Sequence, residues 1–151
     1  MRKHLAGYAL AAITLALVPQ ILWASDAQCS KLNATLHGTY IVSGGGTIIG
    51  VGPVTALGQH TWDGQGSTVA NNTISANGNV FLATVTGTFT INADCTGSLA
   101  ESDGSHYNLV VSPDGNTLSW IETDAGTVLS GTEVRLRPLS GENADRATSK
   151  K

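Results

Sequence analysis

Val80-Phe81-Leu82-Ala83-Thr84-Val85-Thr86-Gly87-Thr88-Phe89-Thr90-Ile91 is the stretch that decides the fold. Odd positions carry Phe81, Ala83, Val85, Gly87, Phe89 and Ile91. Even positions become Thr84, Thr86, Thr88 and Thr90. A period of two is a strand with one buried and one wet face, because successive side chains point to opposite sides of the pleat. Thr suits the wet face because a β-branched side chain fits a strand. The same Thr row invites comparison with flat arrays that bind ordered surfaces, but a solvated face explains it.

Outward from this strand, turn signals recur at short spacing. Asn77-Gly78, Asp103-Gly104 and Asp114-Gly115 are hairpin dipeptides, and Asp63-Gly64, Asn92 to Gly97 and Asp124 to Gly126 are further turns. Eight strands fit between them, at about 38–43, 54–62, 67–74, 80–91, 97–102, 106–111, 117–123 and 128–136. Short links make neighbours antiparallel. The run 44–53, with Gly44, Gly45, Gly46, Gly50 and Gly52, reads as a mobile linker over one end. With no amphipathic helix to cover a half-buried sheet, the sheet must close or pack on another. The fold class is therefore all-β, an eight-stranded antiparallel up-and-down barrel, with a two-sheet sandwich as the alternative.

Alternation also assigns the faces. Val54, Ala56, His60 and Trp62 share one side of the second strand. Tyr107, Leu109 and Val111 face inward on the sixth, and Leu118 and Trp120 carry Glu122 inward on the seventh. On the last strand Val128, Val134 and Leu136 read as inward, with Ser130 and Thr132 between them.

Several runs carry a resemblance. They are Gly38-Thr39-Tyr40, Gly58 to Gly66, Thr86 to Gly97 and Glu122 to Gly131. Over residues 29–137 they resemble a group of small exported bacterial β proteins, a likeness that implies no activity. More loosely, the layout resembles the calycin barrels: lipocalins, avidin-like proteins and the allene oxide cyclase barrel. That likeness implies a Gly-x-Trp start on the first strand, where Tyr40 stands here. It also implies a basic partner from the last strand, Arg135 or Arg137, stacked on the ring. It transfers no ligand-binding residues.

Residues 1–27 read as a secretory signal. Arg2 and Lys3 precede a largely apolar run to Trp23, and small residues follow at Ala24, Ser25 and Ala27. Cleavage fits after Ala24 or after Ala27. Residues 28–139 form the single domain, and 140–151 a polar, disordered tail. Export, to the periplasm or beyond the cell, makes Cys29 and Cys95 a disulfide.

The net charge is −3, and there is no Lys or Arg between Lys31 and Arg135. That gap excludes nucleic acid as a partner and argues against an anionic membrane surface once the signal is removed. No nucleophile elbow, zinc motif or phosphate loop is present. Two thiols without a His at ligand spacing hold no metal, and single Asp-Gly turns do not converge on calcium. No cofactor is expected.

The candidate ligand-binding residues are His60, Trp62, Phe89, Trp120 and Glu122. A His and a carboxylate near aromatic walls orient a small apolar or aromatic ligand, the only partner the sequence points to. The leading expectation is a non-enzymatic binding barrel. The alternative is a structural or surface-interaction protein in which Trp62, Trp120 and Phe89 fill the core. An isomerase or cyclase using His60 and Glu122 ranks below both.

Overall fold

A computed structural model describes residues 28–137. The signal-like segment 1–27 and the tail, with residues 138 and 139 before it, lie outside the described residues. The strands are β1 (His37–Ile48), β2 (Gly52–Asp63), β3 (Ser67–Ala76), β4 (Asn79–Ile91), β5 (Thr96–Glu101), β6 (His106–Val111), β7 (Thr117–Glu122) and β8 (Thr127–Arg135). They close into a barrel in sequence order, each antiparallel to the next, with β8 returning to β1. The barrel, not the sandwich, is the fold.

The wall is staggered, as closure of a twisted sheet requires. A row of paired residues from Gly44 reaches β4 at Phe81 by way of Ala56 and Ile74. In the other direction it reaches β4 at Ile91, through Gly131, Trp120, Leu109 and Gly97. The wall is also uneven. β1 and β2 have 12 residues each and β4 has 13, whereas β5, β6 and β7 have 6 each. β4 meets β5 only over Gly87–Ile91, so its first half rises beside no fifth strand.

One end of the barrel is closed. A 3-10 turn at Leu32–Thr35 lies across it, and the Cys29–Cys95 disulfide ties the segment before it to the β4–β5 turn. Asn33 accepts from the Ile91 backbone N–H and donates to the Phe89 carbonyl, binding the turn to the end of β4. Leu36, Tyr40, Trp62, Phe89, Ile91, Leu109 and Leu118 fill the space behind it. The Tyr40 hydroxyl donates to the Gly115 carbonyl, so the buried phenol keeps a partner. Arg135 lies over the Tyr40 ring, 5.9 Å from its centre, in the place expected of the basic partner.

Two sequence readings need correction. The glycine-rich run 44–53 is not a linker: β1 continues through it to Ile48, and β2 begins at Gly52 after a tight turn. The faces of β8 are inverted. Val128 and Val134 are 72% and 53% exposed, while Glu133 is 2% exposed. Leu129, Gly131 and Glu133 are the residues that face inward, and the expected inward set with Ser130 and Thr132 lies on the wet face. A shift of one residue reverses every side chain on a strand. Leu136, beyond the end of β8, is 40% exposed.

Candidate functional site

His60 and Trp62 project from the same face of β2, two residues apart. Glu133 reaches them from β8, on the far side of β1. The His60 Nδ1 and Glu133 Oε1 atoms are 2.9 Å apart, and the Trp62 indole N–H donates to Glu133 Oε2 at 2.9 Å. Both carboxylate oxygens are thereby satisfied inside the barrel, the condition for burying such a group. The rings stack in sequence: His60 lies 4.2 Å from Trp62, and Trp62 meets Phe89 edge-on at 4.8 Å. His60, Trp62 and Phe89 are all buried. The structure therefore brings three of the five expected site residues into one packed cluster, joined by a carboxylate the sequence reading missed.

His60 does not pair with Glu122. Its Nε2 atom is buried without a hydrogen-bond partner. Glu101 faces inward at the end of β5. Burial is the larger influence on Glu101 and pushes its carboxyl up to about 6, with His60 pulling the other way.

Trp120 and Glu122 lie at the other end, where the short strands stop. Trp120 is half-buried and meets Tyr107 edge-on at 5.4 Å. Glycines shape its seat. A Cβ on Gly44 would come within 2.4 Å of the Trp120 ring, and one on Gly131 within 2.3 Å. The ring therefore lies on bare backbone of β1 and β8, and no other residue type leaves room for it. Burial raises the Tyr107 phenol, with the Glu101 carboxylate adding to the effect. Burial likewise raises Glu122, helped by the nearby Asp124.

Above this floor stands the longer part of the wall. Val54 and Ala56 of β2, Ile74 of β3 and Ala83 and Val85 of β4 face inward there, yet all are only partly buried. Phe81, on the same face, is 49% exposed. Inward apolar side chains that remain partly exposed make this the open end of the barrel, with Trp120 and Tyr107 packed on the core beside them and Glu101 and Glu122 at the ends of β5 and β7.

Elsewhere the outer face of β4, β5 and β6 carries a shallow groove of about 270 Å³ between Thr88, Thr90, Ser98, Ala100 and Asn108. His106 edges it and bonds Asp124 at 2.9 Å. The His106 backbone N–H, and then its side chain, hold the Asp124 carboxyl below its usual range. Both side chains are open to solvent. Asp63, lowered in the same way, accepts from the backbone N–H groups of Gln65, Gly66 and Ser67 and shapes the β2–β3 turn. Among the described residues no group of three or more metal-ligating side chains converges, and no helix is long and apolar enough to cross a membrane.

No family model matches the chain, and no curated protein matches it. Among solved structures it is similar to a de novo designed fluorescence-activating β-barrel. The TM-score is 0.46 at 13% identity, covering 68% of this chain and 94% of the designed one.

Proposed function

We propose that this is an exported, non-enzymatic barrel that holds a small apolar or aromatic ligand in its open mouth. The observation that carries the reading is Trp120. A large aromatic ring is laid on two glycines, flanked by Tyr107, packed on the core cluster on one side and left partly exposed beneath an apolar wall. Pockets that bind small molecules are concave and mostly apolar, with a few polar groups that set orientation. Here those groups are Glu101 and Glu122 at the rim. His60, Trp62 and Phe89 support the floor from beneath rather than touch the ligand. Export rests on the signal-like residues 1–27 and on the disulfide, a bond kept in oxidising compartments.

A second reading, a structural protein with a filled core, is favoured by the packed cluster at the closed end. Native mass spectrometry of the processed chain, purified from its own host without detergent, separates the two. An extra mass that disappears on denaturation, and is lost when Trp120→Ala removes the floor, supports the ligand barrel. The bare disulfide-bonded mass from every preparation supports the filled core.

A further inference from the structure

The first half of β4 is a strand edge that no described residue pairs on the side away from β3. The last backbone contacts toward β5 are at Thr86, whose carbonyl accepts from Ser102 N–H and whose N–H donates to the Ser102 hydroxyl. Backbone groups on a strand alternate between its two sides. The N–H and C=O of Thr84, Leu82 and Val80 therefore point the same way as those of Thr86, away from β3 and into open space. Val80 is 68% and Leu82 83% exposed.

Such an edge is a template for another strand, and proteins ordinarily blunt it with Lys, Pro, a bulge or a covering loop. Among the described residues none of these devices is present on it. From Gly64 to Ala93 the sequence contains no Asp, Glu, Lys, Arg, His or Pro. We propose that this edge pairs antiparallel with the same edge of a second copy, making a two-fold dimer through β4.

The sequence of the edge suits that partner. With the two-fold axis at Leu82, Leu82 faces its own copy, Phe81 faces Ala83 and Val80 faces Thr84. Every open N–H then meets a carbonyl, and no like charges are brought together. A chain of net charge −3 meets a copy of itself with least repulsion along its uncharged hairpin. Because the strands run oppositely, the body of each barrel lies beyond the hairpin tip of the other. Each copy then lends apolar wall to the neighbouring mouth. The pairing stands independently of any ligand.

The test is native mass spectrometry and sedimentation of the processed chain over a concentration series, with three variants. The wild type is expected to show a dimer, and Leu82→Lys, which sets two ammonium groups face to face, to shift it to monomer. Val110→Lys, at another exposed apolar site on the outer face of β6, is expected to leave the dimer intact. Leu82→Cys is expected to form an intermolecular disulfide on mild oxidation, since directly paired residues lie within bridging distance. That readout needs no change in the stability of either copy. A wild type that stays monomeric throughout, or a dimer indifferent to Leu82→Lys and not cross-linked by Leu82→Cys, overturns the proposal.

Discussion

The closed and open ends of this barrel are built from the same hairpins and differ in what their inward residues meet. At the closed end Tyr40, Trp62, Phe89 and Leu109 are each under 5% exposed, and the buried Glu133 carboxylate has both oxygens bonded. At the open end Val54, Ala56, Ile74 and Phe81 also point inward, yet no opposite wall covers them. The cause is strand length. β5 to β7 are half as long as β1, β2 and β4, and the disulfide and the 3-10 turn sit where all eight strands are present. A closed sheet of uneven strands thus divides into a packed part that supplies stability and a less packed part left open to solvent.

That contrast breaks first if the closed end is hollowed out. Trp62→Ala removes the largest buried side chain and leaves Glu133 Oε2 without its donor. It is expected to cost about 3–5 kcal/mol, the usual range for emptying an aromatic site, read as a shift in the urea midpoint. Replacing Cys29 and Cys95 with Ser is expected to cost about 4 kcal/mol in the chain-entropy account, with the strand content retained in the folded fraction. If either change proves harmless, the closed end is not the source of stability.

The open end should respond more weakly in stability. Trp120→Ala loses only part of an aromatic side chain's burial and is expected to cost about 1–2 kcal/mol. It should nonetheless remove ligand adducts altogether. Gly131→Ala sharpens the point, because its new methyl occupies the ring's seat. We expect a similar loss from overpacking and a displaced indole signal. Equal costs for Trp62→Ala and Trp120→Ala would erase the distinction between the two ends.

The smallest effect is electrostatic. Glu101 has a folded pKa raised above its unfolded value, so the folded state holds its proton more tightly. The stability it contributes is therefore greatest below about 4.5 and falls as pH rises toward about 6. Glu101→Gln should remove that fall. The variant is expected to gain on the order of 1 kcal/mol over wild type at pH 7, after allowing for solvent at the rim, and nothing at pH 4. Thermal melts at the two pH values check the sign. A variant that loses stability at pH 7 would assign Glu101 a favourable ionic partner instead.

Much of this architecture is legible in residue order. The alternation of β4 and the turn dipeptides give a closed meander, and the expectation of export points to the disulfide that the structure contains. The calycin likeness points to a cation over Tyr40. What was not legible depends on contacts across the barrel. Val128 and Val134 look like core residues beside Leu129, Gly131 and Glu133, yet the interior takes the second set. Gly131 is required beneath Trp120, and Glu133 is required between His60 and Trp62. The same indole explains why Gly44, which reads as linker, lies within a strand. A glycine directly opposite a tryptophan is the signal that identifies the inward face of β8. Glu101 shares its parity with buried Leu99 and was within reach of the same rule.

The most direct test of the two-ended account follows the side-chain indole N–H signals of Trp62 and Trp120 by ¹H–¹⁵N NMR while naphthalene is added to the processed chain. The account predicts that the Trp120 signal moves and saturates while the Trp62 signal, held to Glu133 behind the packed cluster, stays in place. A Trp120 signal that never moves, or movement of the Trp62 signal first, would contradict it.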